Sequence, residues 1–400
     1  MKYVVVLGDG MSDEPLEQLA GKTPLEYANT PTMDELAKKA EIGMAKTIPN
    51  GMSPGSDTAN LAVIGYDPRI YYSGRSPLEA LSIGVNMKDT DIAIRCNIVT
   101  LSEEDVPYEE KTILDHSSGE ISTGDAAILL EAVKEAFADE TYQFYVGTSY
   151  RHLLIWHKGQ VAELTPPHDV LMQKIGQHLP IDAKLRQMMQ RSYDILNNHP
   201  INLARAQKGE NKANSVWFWG AGTRPALTSF SQKTGKTGVM ISAVDLLKGI
   251  AVGIGMENIL VEGANGSLHT NYEGKAMAAV NALLKEGKDL AYIHVEAPDE
   301  MGHQGSIEKK ITSIEFLDSR LIKIIKENLE KAGFDFRMLI MPDHPTPIRC
   351  RTHTANPVPF LLYDSTKKQG TGCLYNEAAA QKTGIFEAEG FRMIERLLAE

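Results

Sequence analysis

Asp299 and His303 stand four residues apart in APDEMGHQG, a spacing that on one helical turn sends both side chains to the same side, where they can share a metal. Taken singly, such a pair is more often solvated than a ligand set. Asp343-His344 follows an apolar run at 337–341 and is stiffened by Pro342, Pro345 and Pro347. Adjacent residues point apart, so these two suit neighbouring ions roughly 3.5 to 4 Å apart better than one ion. The bland alternative is a strand-end Asp capping a turn beside an incidental His. His353, in CRTHTANPVPF, is a loop residue whose significance rests on its company, while His157, His168, His178 and His199 lack an acidic strand-end setting and read as structural or exposed. Ser56 lies in SPGSDTAN, a tight turn before an apolar helix, where backbone N–H groups favour an incoming phosphate. The commoner fate of such a serine is a plain N-cap. Beside a divalent cation its hydroxyl would lose its proton more easily and become a nucleophile without a separate base.

These residues need a scaffold that gathers them. Residues 3–7 form a β-branched apolar run without polar alternation, the pattern of a strand covered on both faces, and the run ends in Gly8-Asp9-Gly10. Residues 31–40 read as a short amphipathic helix capped by Thr30 or Thr32. Residues 290–295 and 337–341 repeat the opening design, each an apolar strand running on to an Asp. Between them, 308–331 carries an apolar rhythm through Ile311, Ile314, Leu317, Leu321, Ile324 and Ile325 that predicts a long helix. Strands alternating with helices imply an α/β fold with a mostly parallel sheet. In such sheets ligands gather beyond the carboxyl ends of the strands, so Asp9, Asp299 and Asp343 can meet in one pocket.

That meeting joins the two ends of the chain and makes the middle an excursion of different texture. Residues 103–111 are acidic and irregular, 126–138 helical, 144–156 strand-like and 181–207 polar and helical. The expected organisation is a discontinuous domain of residues 1–75 and 239–400, flanked by helices, with a smaller α+β domain inserted at 76–238.

Four hundred residues, 42% hydrophobic and 23% charged, suit two ordinary globular domains. The net charge of -11 argues against nucleic acid as a partner, although a few local cations can still receive a small anionic substrate. MKYVVVLGDG lacks the features of a signal peptide, and no apolar stretch approaches the ~20 residues of a membrane span. Three scattered cysteines without CxxC spacing fit reduced thiols in a cytoplasmic protein.

The motifs GDGMSD, PGSDTANLAVIGYDP, GRSPLEALSIGV, RCNIVTL, DHSSGEIST, APDEMGHQG and PDHPTP closely resemble the short, archaeal-type branch of the cofactor-independent phosphoglycerate mutases, in the alkaline phosphatase superfamily. The likeness covers essentially the full chain. It implies an alkaline phosphatase-like domain with a smaller insertion closing over the site, and two divalent cations. Asp299, His303 and His353 would bind one, and Asp9, Ser56, Asp343 and His344 the other. Manganese is the expected ion, with zinc, cobalt or magnesium as substitutes. The implied reaction interconverts 3-phosphoglycerate and 2-phosphoglycerate through a phosphoserine on Ser56, without 2,3-bisphosphoglycerate.

By similarity to the longer mutases, His116, Arg151, Arg224 and Lys275 are the expected substrate clamps. The chain departs from that pattern where an Arg-Asp pair becomes Arg151-His152, and where paired arginines leave only Arg224; Arg75 and Arg95 also lie in family-like motifs. Two rival readings keep the metal chemistry: a homoserine kinase-like phosphotransferase, and a phosphomonoesterase. The sequence has neither a Walker loop nor a kinase-type Gly-rich loop, and an insertion that excludes water favours transfer over hydrolysis. A binding protein with a degenerate site would lack a ligand or the nucleophile, and every such position is filled. The sequence leaves oligomeric state open.

Overall fold

The computed structural model describes residues 1–399. The strands are β1 (Lys2–Gly8), β2 (Glu41–Ala45), β3 (Ile92–Leu101), β4 (Ile113–Asp115), β5 (Tyr142–Tyr145), β6 (Arg151–Trp156), β7 (Ser215–Thr223), β8 (Gly238–Ile241), β9 (Glu257–Asn258), β10 (Leu290–Val295), β11 (Phe336–Met341), β12 (Val358–Asp364) and β13 (Phe386–Glu387). Chain contacts separate two compact units, one formed by Met1–Tyr72 with the residues from Ala226 onward, the other by Ser73–Pro225. Residues 226–238 thus pack with the outer unit.

The outer unit is built on eight strands in the order β13-β2-β12-β11-β1-β10-β8-β9. Only β12 runs against its neighbours; the other pairings are parallel. The continuous apolar runs have the cause expected of them, because both sheet faces are covered. Val4 and Val6 face a cluster containing Met33, Tyr272, Leu317 and Leu321, while Val5 and Leu7 on the opposite face are equally buried.

Register turns this sheet into a positioning device. Leu7 lies level with His294 on one side and with Met341 on the other. Two residues further along each strand come Asp9, Glu296 and Asp343, so three carboxyl groups leave the sheet at one height. Asp299 follows one turn later, in the helix Ala297–His303.

The expected long helix is present with one modification. Ile307–Leu317 and Lys323–Lys331 are joined through a π-helical turn, Asp318–Ile322. The Asp318 carboxylate accepts bonds from Thr32 N (3.2 Å) and Met33 N (2.6 Å) at the start of the helix Pro31–Ala37. This corrects the expected cap: Thr30 occupies the N-cap position without a side-chain bond, because a charged acceptor from a distant helix serves those N–H groups better than a neutral hydroxyl. The polar helical stretch at 181–207 is likewise two helices, Ala183–Leu196 and Pro200–Gln207, the second starting at a proline.

Behind the loops that follow β1 and β11 lies a buried ionic strut. Lys310 is fully buried, and its Nζ donates to Asp13 Oδ2 (2.7 Å), Thr346 O (2.8 Å) and Ser12 O (3.3 Å). Asp13 also accepts from Glu14 N and Ile348 N, and Glu377 accepts from Ser12 Oγ, Asp13 N and Thr23 Oγ1. Lys310 and Asp13 are paired, and Glu377 beside them is held by hydrogen bonds alone while burial raises its pKa, so no polar group of the strut is left unsatisfied out of water.

In the other unit β3 pairs with β6, with β7 and, at its end, with β4, while β5 lies beyond β6, and all these pairings are antiparallel. Residues alternate across β3. Ile92, Ile94, Cys96 and Ile98 enter a core with Leu129, Val133, Leu185 and Met188 from the helices Thr123–Phe137 and Ala183–Leu196. Arg95 and Asn97 point to the opposite face. His152 stands opposite Cys96 and is buried; its Nδ1 accepts from Gly147 N at 3.1 Å, and burial pushes its pKa down to about 4.

Two outcomes are expected from this packing. Lys310→Met leaves Asp13 charged and buried without its partner, and should lower the unfolding free energy by about 3–5 kcal/mol; an unchanged denaturant midpoint would show that the strut contributes nothing. His152 stays neutral in the folded chain down to about pH 4 but takes a proton near its ordinary 6.5 when unfolded. The unfolded state therefore binds more protons in that window, and acidification through it should remove about 3 kcal/mol of stability. Urea titrations of wild type and His152→Gln at both ends of the window should show a smaller acid loss in the variant.

Candidate active site

The carboxyl ends of β1, β10 and β11 bring seven side chains of the outer unit into one place. Among the described residues, two sets have ligand atoms within 4.8 Å of one another: Asp9, His294 and Asp343, and Asp299, His344 and His353. His303 adjoins the second set, its Nε2 lying 3.1 Å from Asp299 Oδ2 and 3.0 Å from His353 Nε2. His344 links the two, with Nε2 at 3.4 Å from Asp9 Oδ1, 3.6 Å from Asp343 Oδ2 and 3.2 Å from Ser56 Oγ.

Short-range bonding fixes these groups. Asp343 Oδ1 accepts from Gly10 N (3.1 Å) and His344 N (2.8 Å), and Oδ2 accepts from Asn60 Nδ2 (2.9 Å). Asn60 Nδ2 also donates to Ser56 O (2.8 Å), and its Oδ1 accepts from Tyr292 OH (2.8 Å), so one buried amide ties the serine to the acid. Thr346 Oγ1 donates to Asp299 Oδ1, and Arg351 O holds His303 through Nδ1 at 2.9 Å. Gly10 has φ +59°, and a Cβ there would stand 2.5 Å from Asp299 Oδ1, so glycine is required on both counts.

Ser56 is the first residue of the helix Ser56–Val63, and Gly55 before it supplies no capping side chain. Its Oγ is also 3.4 Å from Asp9 Oδ2. The hydroxyl therefore sits against the acidic cluster at the positive end of a helix, where a phosphoryl group can be received.

The electrostatics call for positive charge. Burial, then the charges of Asp343 and Asp299, push Asp9 well above the usual carboxylate range. Burial also works against Asp299, but bonds from His303 and His353 hold it well below that range. His303 is correspondingly raised to about 9, first by its bond to Asp299, whereas burial takes His294 down to about 4 and lowers His344. Asp9 Oδ1 and His294 Nε2 are buried without a hydrogen-bond partner. His294 Nε2 is 3.0 Å from Asp9 Oδ2, yet the contact is not aligned as a hydrogen bond. Buried acceptors left unsatisfied beside crowded carboxylates are what a divalent cation would complete. The oxygen and imidazole donors suit manganese, zinc or related ions.

His294 adds to the expected ligand residues, and its signal in LAYIHV is a polar imidazole next to last in a fully buried apolar strand. The expected clamps are placed differently from one another. His116 and Arg151 flank Tyr150, with ring centroids 5.8 Å apart for His116 and the Arg151 guanidinium 5.4 Å above the ring. Arg224 is exposed and paired with Asp89 at 3.1 Å. Lys275 belongs to the outer unit and has no exposed surface; its Nζ donates to His294 O at 2.8 Å, and burial lowers its pKa to about 8. Its place is beneath the strand that carries His294, so it supports that strand instead of opening to a ligand.

Comparison with known proteins agrees with this geometry. The family profile of 2,3-bisphosphoglycerate-independent phosphoglycerate mutase matches residues 37–202. The chain is 47% identical to a probable 2,3-bisphosphoglycerate-independent phosphoglycerate mutase of Geobacter sulfurreducens, covering 100% of both chains. It is also 47% identical to the corresponding Methanosarcina barkeri enzyme, with 96% of each covered. A solved protein from Pyrococcus horikoshii superposes with a TM-score of 0.82 at 28% identity, covering 99% of this chain and 96% of that one. The cofactor-independent phosphoglycerate mutase of Thermoplasma acidophilum shares the fold, with a TM-score of 0.67, 22% identity and coverage of 100% and 99%. Full-length identity at this level, on a sheet whose carboxyl edge carries the acidic and imidazole cluster, establishes that the chain belongs to the 2,3-bisphosphoglycerate-independent phosphoglycerate mutase family.

Proposed function

We propose that this chain interconverts 3-phosphoglycerate and 2-phosphoglycerate, with Ser56 as the transient phosphoryl acceptor and two divalent cations, manganese foremost, held by Asp9, Asp299, His303, Asp343, His344 and His353. The observation that carries the reading is the position of Ser56 Oγ, 3.4 Å from Asp9 and 3.2 Å from His344 at a helix N-terminus. His294 joins the ligand set or orients Asp9 within it. The family names given to full-length relatives support the substrate, and the three free cysteines fit a reducing, cytoplasmic setting.

When bound, the cations supply charge neutralisation around the transferring group and acidify the serine hydroxyl. The chain's own residues do the rest. Ser56 Oγ forms a bond to phosphorus as the bond to the first substrate oxygen breaks, and the N–H groups of the first helical turn face the phosphoryl oxygens. The retained glycerate turns and offers its other hydroxyl, and the same phosphoryl group leaves Ser56 for it. Asn60 keeps Ser56 and Asp343 in register through both halves. We assign His116 and Arg151 to holding the substrate's anionic groups.

Product formation from 3-phosphoglycerate, followed through enolase with manganese and without bisphosphoglycerate, should be abolished by EDTA and by Ser56→Ala. Residual turnover in the serine variant would remove Ser56 from its role, and product from homoserine with ATP alone would replace the reaction. His294→Ala should weaken manganese binding by about 10–100-fold in a direct titration, while Ser56→Ala keeps most of its affinity; equal binding by wild type and the His294 variant would place that imidazole outside the metal shell.

A further inference from the structure

At the end of the outer sheet remote from the acidic cluster, four cationic side chains from four separate segments meet in one recess of about 230 Å³: Lys39, Arg337, Lys367 and Arg396. Strand register places it. Arg337 on β11 stands opposite Asp364 on β12, and Leu362 on β12 opposite Glu41 on β2, so the recess lies where β2 and β11 begin. Asp343 comes six residues after Arg337, roughly 20 Å along an extended chain.

The walls are held by the protein's own bonds. Arg337 donates through Nε to Asp364 Oδ2 at 2.8 Å and through Nη1 to Ala399 O, just past the helix Met393–Leu398. Thr366 takes the other oxygen of Asp364, donating through N at 3.0 Å and through Oγ1 at 2.6 Å. Arg396, on that helix, donates through Nη2 to Glu41. The loop that carries Lys367 is clasped to the segment that carries Lys39, with Thr371 N donating to Ala40 O at 2.9 Å and Thr371 Oγ1 accepting from Ile42 N at 3.2 Å. A Cβ at Gly370 would stand 2.5 Å from Ala40 N, so glycine is what lets these two backbones close on each other.

The charges in the recess do not cancel. Glu41 and Asp364 line it, and Glu387 reaches Arg396 Nη1 at 3.6 Å; four cations against three carboxylates leave one positive charge, in a chain whose formal net charge is -11. The carboxylates are taken up by the two arginines. Lys39 and Lys367 are exposed and make no hydrogen bond or ion pair among the described residues, and Arg396 Nε is buried without a hydrogen-bond partner. Unpaired lysines on an open surface are solvated singly, whereas here a backbone clasp brings two of them to one concavity backed by two guanidinium groups. Such a field favours an anion, and ammonium groups acting as point charges suit the spread charge of a phosphate.

We infer that this recess is a second anion site, separate from the acidic cluster, that binds a small phosphate-bearing molecule through Lys39 and Lys367. The site does not rest on the proposed reaction.

The test treats the manganese-loaded full chain with an amine-acetylating reagent in rising concentrations of inorganic phosphate and, separately, of ribose 5-phosphate, and reads the labelling of each lysine by mass spectrometry. Saturable protection of Lys39 and Lys367, at least about fivefold, is expected, while the exposed Lys38 and Lys368, which do not line the recess, label as before. Protection by both probes makes the phosphate group alone the determinant, and protection by ribose 5-phosphate only makes it a phosphate ester. In Lys367→Gln, an exposed change that leaves the clasp intact, the concentration needed to protect Lys39 should rise at least about fivefold. Equal labelling with and without both probes, protection that extends equally to Lys38 and Lys368, or undiminished protection of Lys39 in the variant overturns the inference. Protection in a chain that does not interconvert phosphoglycerates would refute the reaction and leave the site standing.

Discussion

The structure depends on confining several carboxylates to a nearly dry space at the edge of a parallel sheet. Asp9, Asp299 and Asp343 are buried or almost so, and two of them are pushed in opposite directions from their ordinary ionisation. Such a cluster resists its own assembly unless protons or cations enter it. The surrounding architecture therefore has to be rigid enough to impose the arrangement, and a strongly apolar sheet with helices on both faces provides that rigidity.

Rigidity is delivered by bonds between segments distant in sequence. Asn60 joins the serine helix to the acid after β11, and Lys310 joins the turns after β1 and β11 from behind. Neither residue needs to contact a ligand to matter. Each fixes the angle at which a ligand-bearing loop leaves the sheet, and at distances of a few ångströms that angle decides whether donors converge.

Much of this was legible in the sequence because it is written in local pattern. The apolar runs of β1, β10 and β11, each leading to an Asp, gave both the parallel sheet and the meeting of Asp9, Asp299 and Asp343, and the spacing of Asp299 and His303 gave their shared face. What escaped depends on three-dimensional contact. His294 was hidden inside an apolar strand. Lys275 matched a clamp by position along the chain, yet its long side chain turns inward. The cap on the helix Pro31–Ala37 could not be found nearby, because Asp318 arrives from almost three hundred residues away.

The π turn at Asp318–Ile322 has a geometrical consequence. One surplus residue in a helix advances the phase of everything after it by about 100°, so the segments on either side answer to different neighbours. Lys310, upstream, is aimed at the loops after β1 and β11, while Asp318, at the dislocation itself, meets the start of another helix. What the shift resets lies downstream, where Ile325 and Leu329 enter the core beneath the sheet, so one rod keeps its polar engagements before the irregularity and its apolar ones after it.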